Sequence, residues 1–136
     1  MDDLEKSTNV AISGLKAQAE RLRVISENLA NADSTAQTPD GQPYRRKVIT
    51  FKNVFDRVNG INQVEVNRVK QDQSDPQRRY DPKNPAADRE GYVLTPNINP
   101  MIEIMDMREA QRSYEANLNV VNTSRALLSQ TVQLLR

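Results

Sequence analysis

The sequence predicts a mainly α protein with a small β insert: long N- and C-terminal helices packed in coiled-coil fashion, and a central β and loop region between them. Three observations predict it. Both ends of the chain carry apolar residues in alternating steps of three and four, the seam by which one helix packs on another. All seven prolines and three of the four glycines lie between those ends, at 39–100. Aromatic residues make up only 4% of the 136 residues and hydrophobic ones 37%, too few for a thick single core, so the apolar content must be laid out in stripes.

The first element is expected over roughly residues 3–32, within an N-terminal segment 1–33. Its seam reads Leu4, Thr8, Ala11, Leu15, Gln18, Leu22, Ile25, Leu29 and Ala32. A helix of this span is about 45 Å long, beyond the ordinary globular helix, and calls for a partner of similar length.

The central segment, 34–100, punctuates. KVITF at 47–51, QVEV at 63–66 and GYVLT at 91–95 have the β-branched, alternating character of short strands. The stretch from Asp72 to Glu90 holds three prolines and no hydrophobic period, and is expected to be a loop.

The last segment, 101–136, supplies the partner. Its seam reads Ile104, Met107, Gln111, Tyr114, Leu118, Val121, Arg125, Leu128, Val132 and Leu135, and no proline or glycine follows Pro100. Asn99 suits the N-cap and Pro100 the first helical position, while Glu103 and Asp106 meet the positive end of the helix dipole. Gln111 and Arg125 either fix register as polar seam residues or lie exposed because the stripe drifts. Asn28, Asn31, Asn117, Asn119 and Asn122 are poor helix formers, and hydrogen bonds between neighbouring helices would account for them.

The chemical inventory argues against catalysis. Cysteine, histidine and tryptophan are absent, which removes thiol and imidazole chemistry. Asp72, Asp75, Asp81 and Asp88 lack the spacing of a calcium loop and read as a solvated loop. Arg45, Arg46, Lys47, Arg78 and Arg79, near Tyr44 and Tyr80, are interleaved with acids in a chain of net charge +1, so surface charge, at most a polar subunit contact, is expected rather than RNA binding. Tyr114 falls in the seam and Glu115 points about 100° away, so packing is expected there instead of an acid and base pair. Three classes of function stay in view: a structural polymer subunit, an adaptor binding a partner helix, and a hydrolase using carboxylates of the 72–90 loop. No catalytic, cofactor or metal site is expected. The acidic start has no apolar signal region and no run is long enough to span a bilayer, so by these tests alone the chain reads as cytosolic, although a chain without cysteine equally suits an oxidising compartment reached by a route that uses no Sec signal.

SGLKAQAERLRVISENLANADS at 13–34, followed by TPDGQPYRRK at 38–47, resembles the N-terminal signature of bacterial flagellar rod and hook axial proteins. GYVLTPNINPMIEIMDMREAQRSYEANLNVVNTSRALLSQ at 91–130 is similar to the C-terminal region of the same family, with YEAN and the later Asn-Thr pair its most specific part. The short length, TPDGQPYRRK and DPKNPAADREGYVLTPNIN narrow the resemblance to a proximal rod subunit. The family motif maps onto Asn28, Leu29, Ala30, Asn31, Tyr44, Arg45, Tyr114, Glu115, Ala116, Asn117, Asn122 and Thr123, with Asp33-Ser34 departing from the more usual Asn-Thr.

The resemblance implies a tubular polymer whose inner domain is built from the terminal helices, with the central segment as its outer part. With the seam, it gives an expected assembly interface of Leu15, Leu22, Ile25, Asn28, Leu29, Asn31, Tyr44, Arg45, Tyr114, Asn117, Leu118, Val121, Asn122, Leu128, Val132 and Leu135. The implied partners are copies of the chain, other rod proteins, the hook-basal body adaptor, and the vicinity of the membrane-embedded MS ring and export gate, with no nucleic acid and no small-molecule substrate. The implied location is the flagellar basal body, in a rod crossing the periplasm, reached through the flagellar type III apparatus without a cleaved signal.

Overall fold

The computed structural model describes residues 2–136. Two long helices, α1 (Asp2–Ala30) and α2 (Pro100–Leu134), bracket four strands: β1 (Lys47–Asp56), β2 (Ile61–Gln71), β3 (Gln77–Tyr80) and β4 (Tyr92–Thr95). The strands form two separate two-stranded sheets, β1 with β2 and β3 with β4. The chain divides into two compact units, one of Met1–Leu22, Ile49–Arg68 and Arg108–Arg136, the other of Arg23–Val48 and Val69–Met107.

Each helix ends for a local reason. Asn99 caps α2, its Oδ1 accepting from Met101 N at 3.1 Å, with Pro100 in the first turn where no amide is needed. α1 stops without a left-handed glycine. The chain tightens into turns instead, with Asn31 N and Ala32 N donating to the Asn28 and Leu29 carbonyls at 3.2 and 3.3 Å, while Asn31 Nδ2 and Ser34 Oγ add bonds to the Glu27 and Asn31 carbonyls at 2.8 and 2.7 Å.

In the first unit the helices pair antiparallel. Gly14 faces Asn117, and seven residues further along α1, Arg21 meets Glu109 at 3.5 Å, eight residues back along α2. A second side of α1 carries β2, where Val64 N donates to Ser13 Oγ at 3.2 Å. The turn between β1 and β2 is held by Asp56, whose Oδ1 accepts from Val58 N and Asn59 N, while Gly60 adopts φ +67°. A four-residue connection of this kind joins strands only as an antiparallel hairpin. The residues buried in this unit are small: Ala11, Ala17, Ala110, Ser124 and Val121. Such side chains bring backbones close and remove little apolar area from water.

In the second unit Val24, Ile25, Ala36, Ala86, Val93 and Ile98 form the core. The antiparallel ladder from Gln77 opposite Thr95 to Tyr80 opposite Tyr92 carries a T-shaped Tyr80–Tyr92 contact, and Arg78 lies over the Tyr92 ring. Pro39 at the second position of the Thr38–Gly41 turn lets Gly41 N reach the Thr38 carbonyl at 3.0 Å.

Two expectations need correction. The 72–90 stretch is not loop throughout, since it contains β3. All four β3 residues are exposed, so QRRY has no hydrophobic period to reveal it and owes its conformation to pairing with β4. The stripe of α2 is displaced in part, while Met107, Tyr114 and Leu128 are half-buried and Val121 is buried in their predicted places. In the single chain Ile104, Gln111, Leu118, Arg125, Val132 and Leu135 are exposed, whereas Glu103, Ala110, Val121 and Ser124 are buried. Close packing selects the small Ala110 and Ser124, one position before Gln111 and Arg125, which follow the drifting-stripe alternative. Of the first seam, eight positions lie on α1 and Ala32 just beyond it, and none of the nine is exposed.

Candidate functional site

The most constrained chemistry lies in the second unit, where the end of α1, the start of β1 and the first turns of α2 meet around Asn28. Its side chain is 1% exposed and its amide is fully used. Oδ1 accepts from Lys47 N at 2.9 Å and Tyr44 OH at 3.0 Å, while Nδ2 donates to the Lys47 carbonyl at 2.8 Å and to Glu103 Oε2 at 3.3 Å. Asn28 thus stands in for a neighbouring strand at the first residue of β1. A carboxamide is the one small group that offers both a donor and an acceptor in the required plane.

Beside it, Glu103 is wholly buried, which a carboxylate tolerates only when paired and hydrogen-bonded. The pairing comes from Arg46, whose Nε donates to Glu103 Oε1. The same guanidinium reaches Asp106 Oδ2 at 3.4 Å and Asp72 Oδ2 at 3.7 Å. Its backbone is held as well: Arg46 N donates to Asn97 Oδ1 at 2.9 Å, and Asp72 N donates to the Arg46 carbonyl at 2.8 Å. Asn97 Nδ2 in turn donates to Ser74 Oγ at 2.8 Å. Lys47 Nζ donates to Glu27 Oε1, and that contact draws the Glu27 carboxyl below its ordinary range. Burial, together with the Glu27 and Glu103 charges, pushes the Tyr44 phenol up to about 12.

This network corrects the bland reading of the arginines. Arg46 is the central cation of a polar cluster, and Arg45 Nη1 donates to the Ser74 carbonyl at 3.2 Å. Asp72 joins the cluster, while Asp88 Oδ1 accepts from Glu90 N and Tyr92 N and its Oδ2 pairs with Arg78, so neither is a loose loop charge. Glu103 and Asp106 do more than complement a dipole. The sequence did carry a signal for this pair: a carboxylate between Ile102 and Ile104 at the start of an apolar stripe needs a cation, and YRRK offers one.

The expected interface residues are dispersed in the single chain. Asn28, Asn31, Tyr44 and Arg45 fall in the second unit with Ile25 and Leu29, and Asn28 and Tyr44 are bonded directly. In the first unit, Val121 is buried, Leu15, Leu22, Tyr114, Asn117 and Leu128 are half-buried, and Leu118, Asn122, Val132 and Leu135 are exposed. Asn117 lies against Gly14 and Asn28 bonds across to α2, whereas Asn119 and Asn122 face outward. Arg125 and Leu128 with Leu4, Thr8 and Ser124 line a crevice of about 280 Å³ where the beginning of α1 lies beside the end of α2. Among the described residues no group of carboxylates is arranged to hold a metal ion, and no helix is long and apolar enough to cross a membrane.

Residues 9–36 match the family described as flagella basal body rod protein, and residues 89–134 match the C-terminal region described for flagellar basal body rod FlgEFG proteins. The chain is 49% identical over 136 residues to the flagellar basal-body rod protein FlgC of Agrobacterium fabrum, covering 100% of this chain and 98% of that one. It is 42% identical to the FlgC of Borreliella burgdorferi, with 98% of each covered, and 40% identical to that of Salmonella typhimurium, with 93% of each covered. The chain therefore belongs to the FlgC family of flagellar basal-body rod proteins, a structural family and not a known family of enzymes.

Proposed function

We propose that the chain polymerises through its terminal helices into the tubular rod of the flagellar basal body, transmitting torque and lining the export channel, with residues 34–100 as the outer part. The observation that carries this reading is the apolar surface of α2. Leu118, Val120, Leu127, Val132, Leu134 and Leu135 are exposed, Leu134 by 87%, in a unit whose buried residues are mostly alanine and serine. A helix that buries one stripe of small residues and presents larger ones outward is made to be covered by further helices. The crevice lined by Leu4 and Leu128 is a ready seat for a neighbour's side chain.

On this reading the neighbours are copies of the chain and other rod proteins, with the hook-basal body adaptor, the MS ring and the export gate nearby. The rod lies in the periplasm, and the subunit reaches it through the type III apparatus without a cleaved signal. The test uses positions exposed in the single chain. Leu118→Asp and Leu127→Asp should leave the circular dichroism of the purified chain unchanged while abolishing rods in electron micrographs of basal bodies, and motility with them. Normal rods in both variants would overturn the reading.

A further inference from the structure

The Asn28 cluster differs in kind from the apolar surface of α2, because it is complete within one chain. Asn28, Tyr44, Lys47, Arg46, Asp72, Asn97, Glu103 and Asp106 all lie in the second unit, and the four hydrogen bonds available to Asn28 are all made there. We infer that the Asn28–Glu103 hydrogen bond, backed by Arg46, is a register lock that joins the end of α1, the start of β1 and the first turns of α2 in the single subunit, before any neighbour is present.

The chemistry is selective about register. Asn28 holds both backbone groups of Lys47 at once, and only one residue of β1 can occupy that position. Its fourth bond goes to a fully buried carboxylate, so a slip along α2 leaves Glu103 without Nδ2 and without the Arg46 guanidinium, which keeps only Asp72. Such a slip strands a buried charge, which makes the aligned state stand apart from its neighbours in energy. Asn28 and Glu103 act here as positioning residues. The inference concerns the isolated chain and does not rest on polymerisation.

Hydrogen exchange on the purified monomer tests it. Amides from Val24 to Asn28, at Lys47 and from Glu103 to Met107 should be protected in the wild type. Asn28→Asp places a carboxylate against Glu103 and should reduce that protection roughly 10- to 100-fold. Glu103→Gln alone sets amide against amide and should also reduce it. Asn28→Asp combined with Glu103→Gln restores a donor facing an acceptor and leaves an acceptor for Arg46 Nε, though not the bond from Nδ2 to the Lys47 carbonyl, so from Glu103 to Met107 the double variant should be better protected than Asn28→Asp alone. A wild-type monomer lacking protection at these amides would overturn the inference, and so would a double variant no better protected from Glu103 to Met107 than Asn28→Asp alone.

Discussion

The carboxamide of Asn117 occupies the space that any side chain at Gly14 would need: a Cβ there would sit 2.7 Å from Asn117 Nδ2 and 3.1 Å from its Cγ. This glycine lies mid-helix, where alanine would ordinarily be preferred by about 1 kcal/mol. Its retention marks the close approach of α1 and α2.

Gly14→Val should therefore lower the helical content of the chain and abolish rods, and Gly14→Val with Asn117→Ala should recover part of both. Circular dichroism and electron microscopy read the two effects. Equal losses in the single and double variants would mean that the contact does not set the helix spacing.

Arg46→Met leaves Glu103 buried without its cation and should cost about 3 kcal/mol or more. Adding Glu103→Gln removes the charge that needed neutralising, so the double variant should melt above Arg46→Met alone. Thermal melts followed by circular dichroism decide between this and a merely superficial ion pair, for which neither change would move the midpoint.

Two groups of the second unit set opposite pH limits. Tyr44 has its phenol raised by burial first and by the Glu27 and Glu103 charges next, so the neutral phenol is favoured in the fold. Its contribution is complete below the unfolded value of about 10 and is lost as pH rises towards 12. Asp72 is shifted the other way, chiefly by the backbone N–H of Ser74, then by the Ser74 hydroxyl, with Arg46 adding to it. Its contribution is present above about pH 4 and is lost as pH falls through the lowered folded value. Tyr44→Phe should flatten the alkaline limb of stability against pH, and Asp72→Asn the acid limb. A variant that left its own limb unchanged would remove that group from the account.

Gly60 and Gly91 both adopt positive φ, +67° and +87°, yet their surroundings differ. A Cβ at Gly60 meets nothing within 4 Å, whereas one at Gly91 would lie 2.9 Å from Tyr80 Cε2 and 3.1 Å from Pro82 Cβ. Gly60→Ala should cost about 1–2 kcal/mol, the left-handed penalty alone. Gly91→Ala should cost clearly more, and by displacing the Tyr80 ring from Tyr92 it should weaken the near-ultraviolet circular dichroism of the two tyrosines. Comparable costs at the two sites would show that the Tyr80 ring yields freely.

Much of the architecture was legible in the residues because it depends on periodicity and local chemistry. Unbroken three-and-four spacing gave both helices, Asn99-Pro100 placed the start of α2, and β-branched alternation located β1, β2 and β4. SENLANADS and YEAN identified the family, whose fold then follows. What the linear pattern could not carry was every feature that one segment imposes on another. QRRY at 77–80 becomes a strand only because Tyr92–Thr95 lies alongside to accept its backbone bonds. On α2 Ala110 and Ser124 turn inward while Leu118, which the seam had pointed to the partner helix, is exposed, because close helix contact favours small side chains. Glu103 can be buried only because Arg46, 57 residues away in sequence, brings the charge that offsets its desolvation. The sequence by itself determined both helices and three of the four strands, through interactions a few residues apart; the tertiary structure decided the fourth strand, which faces are buried and which charges are paired, since those depend on partners that only folding brings together.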